Sequence, residues 1–206
     1  MIGIVNYGVG NLQSVLNALD HLGVPGRIVG DPAELAACDK AILPGVGAFR
    51  RAMGMLESAG FRAPLDAHVS AGKPLLGICV GMQLLAELGT EFEPCAGLGY
   101  IRGTVVQIPV ERTDNRRHLR LPHIGWNDVR VLRETPLSAG LPVERSAYFV
   151  HSFHVETVDP ESCVADTDYG GPVTAMIARG SVFGVQFHPE KSQELGLRIL
   201  GNFAAL

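Results

Sequence analysis

From residue 2 to about residue 85, short β-rich runs alternate with amphipathic stretches, and this alternation constrains the fold more than any other feature of the chain. "IGIVN" (2–6) is followed by "NLQSVLNALDHLG" (11–23), "GRIVG", a short polar piece, "KAILPG" (40–45) and "AFRRAMGMLESAG". Leu12, Val15, Leu16, Leu19 and Leu22 recur at helical spacing, which lays one apolar face along the second stretch. Strand, helix, strand in that order predicts a parallel sheet with crossover helices.

After about residue 98 strands dominate: "GTVVQIPV", "IGWNDVRVL", "SAYFVHSFHVETV", "CVADT", "VTAMIA" and "SVFGVQF", closed by a helix over "SQELGLRILGNFAAL". The chain is therefore read as α/β, with an open, mixed, largely parallel central sheet, flanking helices and some antiparallel additions. With 206 residues, 47% of them hydrophobic, it has the apolar content for one sizeable core, and we expect a single domain over 1–206. No internal repeat, low-complexity tract or dividing linker interrupts it.

Charge and cysteines narrow the function classes. The formal net charge of −4 gives no general attraction to nucleic acid or an anionic membrane. The one basic cluster, "ERTDNRRHLR" (111–120), contains acids and no aromatic residue, and reads as a solvated loop. Cys38, Cys79, Cys95 and Cys163 show no C-x-x-C spacing, which fits a reducing cytosol. Neither a secretory leader nor an apolar run of membrane-spanning length is present, so a soluble, cytoplasmic protein is expected.

The chemistry concentrates at "PLLGICVGMQLL" (74–85). "PLLGIC" has the pattern of a buried strand and "VGMQLLAEL" has helical periodicity, so Cys79 falls at the junction. Gly77 and Gly81 flank it as G-x-C-x-G, the sulfur counterpart of a nucleophile elbow. Helix N–H groups aimed at the sulfur favour thiolate, and the Val80 N–H is placed to donate to an oxyanion. A thiol is only slightly ionised at neutral pH, so a nucleophile here needs a base.

Among seven histidines, His188 stands apart: it ends the strand "SVFGVQF" and begins "HPEKS". Pro189 biases His188 towards an extended conformation, in which residues i and i+2 project to the same side. His188 and Glu190 then supply a base and the carboxylate that orients it. A second glycine-rich turn, "LPGVGAF" (43–49), also follows a strand, and a Val46 or Gly47 N–H can complete an oxyanion hole with Val80. All these residues are expected at the C-terminal ends of strands, where open α/β sheets place their sites.

"GICVGMQ", "FHPEKS" and "PGVGAF" together resemble the class I, triad-type glutamine amidotransferases, a flavodoxin-like α/β family, and "NYGVGNLQSV", "LPHIGWN" and "YFVHSF" narrow the likeness to glutaminase subunits of imidazole glycerol phosphate synthase. The resemblance runs from Asn6 to Ser192. It implies that Cys79 attacks the side-chain amide of glutamine, that His188 protonates the departing ammonia, and that Glu190 orients His188. Gln83, Gly47, Ser152 and Phe153 would contact the substrate. No cofactor and no metal is implied. The partner would be a cyclase subunit, a (β/α)₈ barrel, that forms a heterodimer with this chain and uses the ammonia to make imidazole glycerol phosphate and aminoimidazole carboxamide ribonucleotide in histidine biosynthesis.

A partner is chemically sensible, because ammonia freed into neutral water is mostly protonated and ammonium has no lone pair for attack. In "LPHIGWN" (121–127) His123, Trp126 and Asn127 are larger and more polar than a simple edge demands, and Trp is enriched at interface hot spots. The resemblance implies that this segment meets the partner, and by the same resemblance Asn11, Tyr148 and Lys191 join the expected interface set. "YGVGN" (7–11) lacks the third glycine of a dinucleotide cradle and reads as the first strand-to-helix turn. His151 and His154, three apart on a strand-like run, face opposite ways and do not suggest a metal site.

Three alternatives stay open at the level of sequence: a glutaminase subunit of another synthase, such as that of pyridoxal phosphate, a cysteine hydrolase acting alone on γ-glutamyl or peptide bonds, and a non-catalytic binding module.

Overall fold

In the computed structural model, which describes residues 1–110 and 119–206, the parallel half of the sheet grows outward from an N-terminal strand. Its elements are β1 (Ile2–Val5), α1 (Leu12–His21), β2 (Gly26–Val29), β3 (Lys40–Gly45), α2 (Phe49–Ser58), α3 (Arg62–Ser70), β4 (Leu75–Cys79) and α4 (Val80–Leu84). Then come β5 (Ala86–Gly89), β6 (Cys95–Ala96), β7 (Ile101–Gln107), β8 (His123–Asp128), β9 (Arg130–Val131), β10 (Ser146–His151) and β11 (Phe153–Thr157). The chain continues through β12 (Cys163–Asp168), β13 (Pro172–Arg179), β14 (Val182–Val185) and α5 (Gln193–Ala205). The solvated basic loop expected at 111–120 lies, apart from its last two residues, outside the described residues.

The central sheet runs β2-β1-β3-β4-β14-β13-β12-β9. Neighbours from β2 to β14 pair parallel, and those from β14 to β9 pair antiparallel. This is the mixed, largely parallel arrangement expected. The paths β1-α1-β2 and β3-α2-α3-β4 move in opposite directions along the sheet, so right-handed crossings put α1 on one face and α2 and α3 on the other. α5 packs beside α1 and completes that layer.

The apolar stripe read in the sequence is the core face of α1. Val15, Ala18 and Leu19 are buried, and Leu12, Leu16 and Leu22 pack against the same core. Each fully buried leucine contributes about 1.5–3 kcal/mol relative to an exposed one. Asn11 starts the helix, its side-chain oxygen accepting from the Ser14 N–H at 3.4 Å.

Three segments differ from the sequence reading. α4 ends at Leu84, and Ala86 to Gly89 become β5, because backbone pairing with β7 and β6 outweighs the helical periodicity of "LLAEL". "IGWNDVRVL" divides at Val129 into β8, paired with β10, and β9, on the edge of the central sheet. "SAYFVHSFHVETV" likewise divides at Ser152 into β10 and β11, the latter paired with β7.

Candidate active site

The backbone turns at Cys79 with φ 56° and ψ −116°, a conformation rare for a residue with a side chain. Such strain costs about 1–3 kcal/mol and persists only where the surroundings enforce it. Here β3 enforces it. A Cβ at Gly81 would lie 1.8 Å from the Leu43 carbonyl oxygen, and one at Gly77 would lie 2.6 Å from the Gly81 oxygen, so only glycine lets the start of α4 pass this close to the sheet. The corner therefore lifts Cys79 off the end of β4 and leaves it 3% exposed.

β14 lies parallel to β4, with Val185 opposite Ile78, and this register carries residues 186–190 past the corner. His188 and Glu190 lie side by side at the turn Pro189–Lys191, and the imidazole Nδ1 donates to Glu190 Oε1 at 2.8 Å. Both side chains are almost completely buried. Nε2 has no other protein partner among the described residues and is left for the Cys79 thiol. Burial opposes protonation of His188, but hydrogen bonding and charge from Cys79 and Glu190 overcome it and raise the pKa to about 9. At neutral pH this arrangement keeps the imidazole protonated beside the Cys79 sulfur.

Cys79 and His188 open into a cavity of about 410 Å³, with Glu190 buried behind the imidazole. Val46, Gly47 and Val80, expected at an oxyanion hole, line it together with Cys79. Gly47 has φ 89°, which glycine adopts freely. Gln83, Ser152 and Phe153, expected at the substrate, line it too. The Gln83 amide is itself held: its nitrogen donates to the Phe153 carbonyl at 3.0 Å and to Gln186 Oε1 at 3.1 Å.

Three residues at this site were not singled out from sequence. Glu91 lines the cavity, and its Oε2 accepts from the Phe49 N–H at 2.8 Å, capping α2 where Ala48 offers no side chain to do so. It sits in an irregular polar stretch without a motif, so nothing in the sequence marks it. Gln186 is fully buried, and its Nε2 lies 3.9 Å from Cys79 Sγ. The two-residue periodicity that pairs His188 with Glu190 also points back to Gln186. His151 lines the cavity wall and belongs to a buried pair with His123.

That pair has a fixed polarity. The Phe153 carbonyl only accepts, so His151 Nδ1, 2.9 Å away, carries a proton. His151 Nε2 then accepts from His123 Nδ1 at 3.1 Å, and His123 Nε2 accepts from the Asn127 amide at 3.3 Å. Burial pushes both rings' pKa values down, His123 to about 4 and His151 to about 3. His123, expected at a partner surface, is only 3% exposed and stacks between Phe149 and Tyr169. A neutral ring with two satisfied nitrogens is stable there, which removes it from the surface set.

The other expected interface residues do lie at the surface. Trp126 is 50% exposed and meets Tyr148 edge to face at 6.1 Å, and Lys191 Nζ stands 5.8 Å from the Tyr148 ring centre. Lys191 also lines the cavity. Asn11 is exposed at the start of α1, which touches the turn that carries Lys191. His154 is buried, its Nδ1 accepting from the Thr174 N–H at 3.3 Å. Among the described residues no group of three or more His, Cys, Asp or Glu is arranged to hold a metal ion, and no helix is long and apolar enough to cross a membrane.

Residues 3–205 match the family model described as glutamine amidotransferase class-I. The chain is 45% identical over 203 residues to imidazole glycerol phosphate synthase subunit HisH of Syntrophotalea carbinolica, covering 98% of both chains. It is 46% identical over 206 residues to the protein of the same name from Geobacillus kaustophilus, covering 100% of this chain and 97% of that one. Against the solved structure of PurLQS from Thermotoga maritima the TM-score is 0.74 at 20% identity, over 99% of this chain and 97% of that one, a likeness of fold.

Proposed function

The chain belongs to the class I glutamine amidotransferases, and from this we infer that it is the glutaminase subunit of an imidazole glycerol phosphate synthase, hydrolysing glutamine to glutamate and ammonia in histidine biosynthesis. The observation that carries the chemistry is the buried His188–Glu190 bond beside a cysteine at a strained corner.

The Cys79 thiolate attacks the side-chain carbonyl carbon of glutamine. The tetrahedral oxyanion accepts from the Val80 N–H and from the peptide of Val46 and Gly47, donors that cost no reorganisation if already aimed. As the C–N bond breaks, the His188 imidazolium gives its proton to the leaving nitrogen, releasing ammonia and a γ-glutamyl thioester. Neutral His188 then takes a proton from water, whose oxygen attacks the thioester, and glutamate departs as the thiolate is restored. Glu190 keeps the imidazole in the tautomer that presents Nε2 to these transfers. Gln83, Ser152 and Phe153 position the substrate, and the Glu91 carboxylate suits its ammonium group.

The ammonia passes to a cyclase subunit, which we take to be a (β/α)₈ barrel docked over Trp126, Tyr148, Lys191, Asn127 and Asn11. Lys191 lines the cavity and stands beside the Tyr148 ring, which meets Trp126, and a cover there would keep ammonia from bulk water. Glutamate release measured with and without the cyclase subunit tests the reading. Release stimulated by the cyclase supports it, strong release indifferent to the cyclase would indicate a hydrolase acting alone, and no release in either case would indicate a binding module.

A further inference from the structure

Gln186 is completely buried yet polar, and the steps above leave it without a task. Its orientation is determined. The Gln83 nitrogen donates to Gln186 Oε1 at 3.1 Å, so the other end of the Gln186 amide, Nε2, is the end that faces Cys79 Sγ at 3.9 Å. Gln83 cannot turn over, because its nitrogen also donates to the Phe153 carbonyl at 3.0 Å. That carbonyl is held in turn by the proton on His151 Nδ1. The Phe153 carbonyl thus accepts from His151 on one side and from Gln83 on the other, which fixes the Gln83 amide and, through it, leaves the Gln186 N–H pointed at the sulfur.

We propose that Gln186 is a thiolate-stabilising residue: its side-chain N–H donates to Cys79 Sγ and stabilises the ionised sulfur. An amide nitrogen can only donate, and a thiolate accepts far better than a thiol. The bond therefore strengthens as the nucleophile ionises. Unlike His188, the amide does not titrate, so its contribution persists where the imidazole has lost its proton. The inference rests on Cys79 being the nucleophile.

The test is the rate of Cys79 alkylation by iodoacetamide at pH 7, followed by peptide mass mapping in the full-length chain, for wild type, Gln186→Leu and Gln186→Glu. Leu removes the donor. Glu keeps an acceptor for Gln83 but turns a carboxylate oxygen towards the sulfur. Alkylation should slow by on the order of tenfold in the Leu variant, the size of one charge-assisted hydrogen bond, and more in the Glu variant. If Gln186 merely supports Gln83, the order reverses and the Glu variant stays near wild type, which overturns the proposal. In wild type itself, alkylation of Cys79 should displace the Gln186 side-chain amide resonance in ¹⁵N NMR; an unmoved resonance also overturns it. If wild-type Cys79 reacts no faster than Cys95 or Cys163, the assignment of the nucleophile fails instead.

Discussion

The backbone N–H of His188 donates to the carbonyl of Tyr148 at 3.0 Å, so the base of the triad and a ring of the exposed face are joined through one peptide bond each. Ser192 braces the same junction. Its Oγ donates to the His188 carbonyl at 2.6 Å and accepts from the Tyr148 N–H at 3.0 Å. Movement at the face is thus mechanically tied to the base.

Replacing Ser192 by Ala removes both side-chain bonds at a position that is 1% exposed. Stability should fall by about 1–3 kcal/mol, the cost of leaving buried polar groups unpaired. Glutamine turnover should fall as well, because His188 loses one of its anchors. Thermal melting and glutamate release measured on the same preparation check both expectations.

Cys79→Ala should abolish glutamine hydrolysis while leaving association with the cyclase subunit intact. Glu190→Ala should retain more activity, since an orienting group matters less than the nucleophile. Equal turnover of wild type and the Cys79 variant would refute the assignment.

Glutaminase activity should decline as pH rises through about 9, where His188 loses the proton it must give to ammonia. The folded pKa lies above the unfolded value near 6.5, so the associated stability is fully present below about 6.5 and is lost as pH rises through about 9. Glu190→Gln should move the alkaline limb of turnover to lower pH, because the carboxylate helps to hold that proton. A limb that does not move would assign it to another group.

The buried pair His123 and His151 works in the opposite sense. Their folded pKa values, about 4 and about 3, lie below the unfolded value, so acid protonates the unfolded chain first. The melting temperature should fall as pH drops below about 6.5 towards 4. In His123→Phe the slope should be shallower, at the expense of an unpaired His151 nitrogen; a slope equal to wild type would mean that the pair does not govern acid stability.

Gly81→Ala should destabilise the fold by about 3 kcal/mol or prevent folding, since its methyl group would meet the Leu43 carbonyl oxygen and neither backbone can yield cheaply. Expression yield and denaturant midpoint measure it. An unchanged midpoint would show that the corner is looser than its contacts imply.

What was legible in the sequence depended on local signals. The α1 stripe follows one helical period, and the positions of Cys79 and His188 are marked by Gly77, Gly81 and Pro189, which act within a few residues. The divisions at Val129 and Ser152 were hidden because apolar alternation continues through both, and only pairing with distant strands separates the halves. His123 looked like a surface group because its partners, His151, Phe149 and Tyr169, arrive from elsewhere in the chain. Glu91 had no signal at all, since its relation to Phe49 exists only after folding.

The adjacency of β4 and β14 sets a schedule for biosynthesis. The sulfur is translated long before residues 182–190, so for that interval the chain lacks His188, the base the folded site uses. Until that last parallel strand slots in next to β4, the ribosome carries a thiol without its proton acceptor. A chain released early therefore discards no glutamine.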